Sequence, residues 1–350
     1  MTIYLLIFLA ISTIAVTNYW KTNHNGVVPV LIAAFLTLFI GYRYQVGVDW
    51  NTYEIIFLDI SRMPLFEAIS YGDSGYSLIN WVVSRLGGQV WHANLICAAI
   101  FSYGFLRFCT VLPRPGLAAV VAVPTLIVVT AMGYTRQATA IGCVMLAFVH
   151  FRGTLGWRWL AWLTLSVLFH RSALFVFPLF VIAGSKRRGL NVIAGAVLAA
   201  ILLSTVVLDN VEAVLTLYFE GDIESSGALA RIAIGFIVGI LYFVVGDKEL
   251  FEQRQILIRN MAIAMLALLP FYFIIPSTTV LDRVGILLLP FQCAILSGLA
   301  ASFTDKPIAE GLITIAIVTA FAIIFLVWLM LATFSSYWVP YENVFFVKWA

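Results

Sequence analysis

The chain has 350 residues, of which 63% are hydrophobic and 11% charged, with a mean hydropathy of +1.03 and a formal net charge of +3. A soluble domain carries about 25% charged residues, so this composition excludes a soluble enzyme and a nucleic-acid-binding domain. A bilayer core is about 30 Å thick and takes roughly 20 apolar residues per helix, and such runs nearly exhaust the chain.

Taken in order, the apolar runs predict an all-α integral membrane protein of about twelve crossings, a single polytopic domain over 1–350. The spans fall at 3–20, 27–43, 90–111, 116–132, 137–151, 157–169, 172–184, 190–208, 230–246, 257–275, 284–302 and 309–333. The first run has no basic residue ahead of it, so it reads as a span rather than a signal peptide. Residues 74–88 (SGYSLINWVVSRLGG) are too short and too polar to cross and read as a re-entrant or interfacial helix. The pair 157–169 and 172–184 is short for two crossings, which a membrane tolerates where protein surrounds them. Larger segments outside the bilayer fall at about 44–89 and 209–229. Cys97, Cys109, Cys143 and Cys293 lie inside apolar runs with no CxxC spacing and read as small core residues.

Orientation follows from the bias of Lys and Arg toward the cytoplasm. With twelve crossings, one side collects twelve of the twenty Lys and Arg but five of the seventeen Asp and Glu. That side is cytoplasmic, and the stretch GYRYQVGVDWNTYEIIF at 41–57 faces outward. The outward basic residues are mainly arginines at span ends: Arg43, Arg136, Arg171, Arg231 and Arg283. Several have a polar neighbour in sequence: Asp49 after Arg43, Gln137 after Arg136, His170 before Arg171, Asp282 before Arg283. An arginine at a helix end also snorkels to lipid headgroups, but five such residues, four of them with a partner, point to an anion, which the guanidinium fork matches better than a point charge.

Pyrophosphate fits this pattern. As a leaving group it gathers negative charge in the transition state, which preplaced guanidinium groups stabilise. An attacking hydroxyl needs a proton acceptor, and Asp49, Asp282 and His170 are the titratable groups beside the arginines, with Asp49 ahead of His170. Tyr44, Trp50, Tyr53, Tyr76 and Tyr341 are candidates for stacking on sugar rings, against the alternative of an interfacial aromatic belt. The D-x-E pairs Asp222/Glu224 and Asp247/Glu249 are weak metal patterns, and His24, His92 and His150 are isolated. No metal and no cofactor is expected.

Six segments, in order, are similar to one family. YRYQVGVDWNTYEIIF resembles the R-x-x-x-G-x-D-x-x-x-Y signature of the Wzy/EpsG-like bacterial polysaccharide polymerases, and GDSGYSLINWVVSRLGG their E-P-G-[FY]-x-x-L-N segment. YTRQATAIG resembles their R-Q-x-x-A span start, LFHRSALFVFPL their H-x-[ST]-A-L helix, LDRVGILLLP their [DS]-R-[IV]-x-x-Y-[FL] span, and YWVPYENVF their C-terminal W-x-P-Y-x-N. The resemblance runs from about residue 40 onward. Asp73 and Ser74 stand where Glu-Pro is frequent, and Leu287 or Leu288 where an aromatic is usual.

The resemblance implies a GT-C-like helical membrane glycosyltransferase at the periplasmic face of a bacterial inner membrane. It would polymerise undecaprenyl-pyrophosphate-linked oligosaccharide repeat units into O-antigen or exopolysaccharide. Its partners would be that lipid-linked glycan, the bilayer and a chain-length-regulating membrane protein, with no nucleic acid. Catalysis would fall to Asp49, His170, Arg136 and Arg283. Substrate would be bound by Arg43, Arg171, Arg231, Asp282, Gln137, Tyr44, Trp50, Tyr53, Tyr76 and Tyr341. The alternatives are an O-antigen ligase-like glycan transferase and a lipid-linked oligosaccharide flippase or transporter. A transporter places its charges near the midplane, whereas here they gather at span ends.

Overall fold

A computed structural model of the protein describes residues 1–17, 20, 27–184, 227–245, 250–275 and 278–347. The described residues are helical without a strand; one isolated antiparallel bridge joins Arg43 to Asn343. The helices are α1 Thr2–Val16, α2 Val27–Gly41, α3 Trp50–Arg62, α4 Leu65–Ser70, α5 Ser74–Arg85 and α6 Val90–Thr110. Next come α7 Pro115–Ala122, continued by a π-helix Val123–Ala131, then α8 Thr135–His150 and α9 Trp157–Phe169. A 3-10 segment Arg171–Val176 leads into α10 Phe177–Ala183. The rest are α11 Ala228–Val245, α12 Gln255–Ile274 behind a 3-10 turn Glu252–Arg254, α13 Thr278–Ala301 and α14 Pro307–Leu331.

Five helices are long and apolar enough to cross a membrane: α6, α11, α12 with its lead-in turn, α13 and α14. Thr2–Val16, Val27–Gly41, Pro115–Ala131 and Arg171–Ala183 are apolar but shorter. The chain is therefore an all-α, multi-pass membrane protein, with fewer full-length crossings among the described residues than the twelve expected. The expected span 190–208 and most of the segment 209–229 lie outside the described residues, as do His24, Asp222, Glu224, Asp247 and Glu249. Two boundaries shift in a way that matters. The α13 helix starts at Thr278, not 284, and α8 at Thr135, not 137, so Arg136, Gln137, Asp282 and Arg283 sit within the first turns of helices.

The α8 helix is the core of the bundle: every residue except Arg136 and His150 is buried. Its run of Ala, Gly and Cys lets neighbours approach closely, as small residues do in membrane bundles. A Cβ added at Gly104 of α6 would stand 2.3 Å from the Gly142 carbonyl oxygen of α8, so the two backbones touch there. The four cysteines are buried and free, as their apolar setting predicts. At the C-terminal end of α8, Arg254 donates to the Phe148 and Val149 carbonyl oxygens at 2.9 and 2.7 Å. These are carbonyls that a helix end leaves without intrahelical donors. At the same end Arg114 pairs with Glu310, and its amide donates to Ser297 Oγ at 2.8 Å. The other end holds the expected site residues.

Helices α3 to α5 lie on that end. In α3 the buried residues Trp50, Tyr53, Phe57 and Ile60 fall on one stripe, and in α5 Tyr76, Ser77, Asn80 and Val83 do the same. Their other faces expose Ile55, Leu58, Leu78 and Val82. Twelve residues give α5 a length of about 18 Å, too short to cross. A short helix is thus present where one was expected, at Ser74–Arg85 within 74–88.

Candidate active site

The loop between α2 and α3 carries Arg43 and Asp49, and a distant part of the chain holds it in register. Tyr44 N donates to Glu342 O at 3.0 Å, Val344 N to Tyr42 O at 2.9 Å, and Gly47 N to Tyr337 O at 2.9 Å. Gly47 has φ +102°, and a Cβ there would stand 2.4 Å from the Met132 carbonyl oxygen. Only glycine accepts both that conformation and that approach. The tail segment is itself anchored. Trp338, 2% exposed, donates its indole N–H to Val128 O of the π-helix at 2.9 Å, and its own carbonyl accepts from the Tyr4 hydroxyl at 2.7 Å.

Arg43 is fully buried inside this assembly. Its Nε donates to Val46 O at 3.2 Å, one terminal nitrogen to Ile40 O at 2.7 Å, and the other to Thr135 Oγ1 at 2.7 Å. Its guanidinium lies 5.8 Å from the Trp50 ring centroid. The residue expected to meet substrate is thus engaged in closing its own loop onto the start of α8. Tyr341 is similarly occupied: it donates to Phe39 O at 2.8 Å and stacks on the Phe39 ring at 4.5 Å.

Asp49 stands at the N-cap of α3, half-buried, with no side-chain hydrogen bond among the described residues. Burial raises its carboxyl above the ordinary value, while Arg136, then Arg283, then Arg43 pull it down. Arg136, in the first turn of α8, donates to Asp73 Oδ2 at 3.0 Å and lies 5.9 Å from the Tyr53 ring centroid. Asp73 also accepts from the Arg171 amide; burial raises its carboxyl, and Arg136 and Arg171 oppose that. Asp73 is the site residue that sequence reasoning passed over, although it occupies the place of the family's Glu in GDSGYSLIN. Gln137 donates to the Arg283 carbonyl oxygen at 2.8 Å, tying α8 to α13. The exposed Arg283 side chain makes no hydrogen bond or ion pair among the described residues.

His170 occupies the turn between α9 and the 3-10 segment. Its Nδ1 accepts the Ser172 amide at 3.2 Å and lies 2.7 Å from Ser172 Oγ. Burial, then Arg283, then Arg136 lower the imidazole to about 3, so the ring is neutral at any working pH.

A second group adjoins the first. Arg231 of α11 grips Asp282 of α13 in a fork: Nε to Oδ1 at 2.8 Å and a terminal nitrogen to Oδ2 at 2.7 Å. Tyr134 lies within the field of Arg231, Asp282, Asp49 and Arg283. Arg231 and Tyr134 line a cavity of about 580 Å³ whose remaining wall is mainly apolar, including Ile234, Ile324, Val327 and Trp328. Of the aromatics, Trp50, Tyr53 and Tyr76 are buried, with the Tyr53 and Tyr76 rings 5.5 Å apart. Tyr44 is partly exposed, edge-on to Trp50 and Trp91 at 5.7 and 6.5 Å. Among the described residues no group of three or more His, Cys, Asp or Glu is placed to hold a metal ion.

A polytopic helical protein with a cluster of arginines and carboxylates at one end is the class these observations define. Residues 26–343 match the EpsG family, so the chain belongs to that family, and with it to the membrane proteins of polysaccharide biosynthesis. Comparison with curated proteins and with solved structures returned no match.

Proposed function

We propose that this protein is a glycosyltransferase that joins oligosaccharide repeat units carried on undecaprenyl pyrophosphate, working at the periplasmic face of a bacterial inner membrane. The carrying observation is that Asp49, which has no side-chain hydrogen bond among the described residues, lies at one end of the bundle in the field of Arg136 and Arg283. An apolar cavity adjoins them. A lipid pyrophosphate needs both: cations for its charge and a hydrocarbon surface for its chain.

In this reading the acceptor sugar's hydroxyl oxygen attacks the anomeric carbon of the donor glycan. Its proton passes to Asp49, the new C–O bond forms, and the bond from the anomeric carbon to the pyrophosphate oxygen breaks. Arg283, whose side chain makes no hydrogen bond or ion pair among the described residues, and Arg136 stabilise the charge that collects on the departing pyrophosphate. Arg171, exposed on the same rim, adds a third cation. The raised carboxyl of Asp49 favours proton acceptance, because a base works best with a pKa closer to the working pH. Arg43 and Gln137 act through others: Arg43 shapes the loop that carries Asp49, and Gln137 fixes the backbone of Arg283.

The test is incubation of the purified protein, reconstituted in liposomes, with lipid-linked repeat units. A ladder of products spaced by one repeat unit is expected. Transfer to a lipid A acceptor without a ladder would point to a ligase instead. Movement of lipid-linked glycan across the bilayer with no new glycosidic bond would make the protein a flippase.

A further inference from the structure

We infer that His170 serves the reaction as a fixed neutral hydrogen-bond donor to the leaving pyrophosphate, not as a proton acceptor. The inference rests on the proposed function and assigns a role within the same site. A backbone N–H can only donate. The Ser172 amide, 3.2 Å from Nδ1, therefore requires a lone pair on that nitrogen, and the ring proton resides on Nε2. The Ser172 hydroxyl, 2.7 Å from Nδ1, is then a second donor to the same lone pair. With Nδ1 committed, Nε2–H is the one polar group the ring can offer, and it has no partner among the described residues.

The charged surroundings select what this N–H meets. Arg283 approaches the ring from α13 and Arg136 from α8. Arg171 follows on the ring's own segment, and Asp73, at the start of α5, accepts Arg171's amide and pairs with Arg136. Burial, and then the charges of Arg283 and Arg136, oppose protonation of the ring, which disqualifies it as the group that takes a proton from an acceptor hydroxyl. The same two positive charges make an anionic oxygen the natural acceptor for a neutral donor that lies within their field. A backbone-locked tautomer costs no reorganisation when charge develops on that oxygen.

Glutamine separates the two roles, since its amide nitrogen supplies a donor at the reach of Nε2 but cannot carry a proton away. In reconstituted full-length protein, His170→Ala is expected to lose about 10²-fold in polymerisation rate, the usual effect of deleting one such donor. His170→Gln should stay within about tenfold of the parent, and the parent's pH–rate profile between pH 5.5 and 8 should carry no limb that disappears in the Gln variant. Ser172→Ala, which keeps the amide, should change the rate little. Binding of inorganic pyrophosphate, measured by calorimetry on the same preparations, should weaken in the Ala variant and much less in the Gln variant. If Gln is as damaging as Ala in both measurements, or if neither substitution has an effect, the donor role is overturned. A parent protein that makes no ladder refutes the polymerase reading alone, because the order of pyrophosphate affinities still decides the role of His170.

Discussion

Arg136 and Asp73 meet at 3.0 Å across a gap of 63 positions in the chain, joining the first turn of the central helix to the cap of an amphipathic helix outside the bundle. The bond engages one terminal nitrogen of Arg136, whose Nε is buried without a hydrogen-bond partner and whose guanidinium lies near the Tyr53 ring. Asp73 and Tyr53 thus fix the direction of this cation together. Arg136→Ala should abolish polymerisation, and Arg136→Lys should recover little, because an ammonium cannot reproduce the planar fork. Asp73→Asn should lose about tenfold or more, within the range usual for a group that orients a ligand. Asp73→Glu, which keeps the charge, should lose less. Ladder assays on membranes with matched protein levels check the order.

Asp49→Asn tests the base. The native carboxyl titrates above the ordinary value because burial outweighs its three arginine neighbours. Activity should therefore rise with pH through an acidic limb displaced upward from the usual carboxylate range, and the limb should vanish in the Asn variant along with most of the rate. Stability should move the opposite way. A carboxyl whose pKa is higher folded than unfolded binds more protons in the fold, so native stability falls as pH rises between the two values. Asn removes that cost, and thermal unfolding at pH 7 should be unchanged or slightly higher. A lower melting temperature in Asn would show that the charge is structural.

Arg43 separates fold from chemistry. Three acceptors receive its guanidinium in a site without solvent exposure, and lysine cannot satisfy all three. Arg43→Lys and Arg43→Ala should destabilise the protein by about 2–4 kcal/mol, the cost of orphaned buried polar groups. The fraction that remains folded after Lys substitution should keep much of its specific activity. The checks are thermal unfolding and activity normalised to folded protein. A Lys variant with native stability and no turnover would return Arg43 to the substrate.

The Arg231–Asp282 fork on the cavity wall should behave as a unit. Either single truncation removes both bonds of the fork from a poorly solvated charge, whereas the double replacement Arg231→Met with Asp282→Leu removes both charges. A double-mutant cycle on thermal stability should give a coupling of about 1–3 kcal/mol. Additive effects would mean that the two side chains act independently.

Much of this was legible in the chain. The arginines at span ends do converge on one end of the bundle, because each sits where a helix meets the same rim. Composition alone required a helical membrane protein, and the ordered short motifs carried the family. What each residue does was less readable. Arg43 and Asp49 are six positions apart and look like one functional pair, but Arg43's partners are two nearby carbonyls and Thr135, 92 residues away. Asp282 looked like a companion of Arg283 and is held instead by Arg231, 51 positions upstream. Tyr341 had the makings of a sugar platform until the tail folded it onto Phe39. The π-helix from Val123 to Ala131 left no trace in a uniformly apolar run, beyond a proline that cannot donate at its second position.

The strap formed by Tyr337 to Val344 on the 42–47 loop also sets a clock. Domains fold largely in the order of their synthesis, yet the loop bearing Asp49 obtains its register from a segment made about three hundred residues later. Throughout its insertion into the membrane, the growing polypeptide lacks the segment that bonds to the loop carrying Arg43 and Asp49. The 42–47 loop therefore takes its final register only when the last bonds to Tyr42, Tyr44 and Gly47 close.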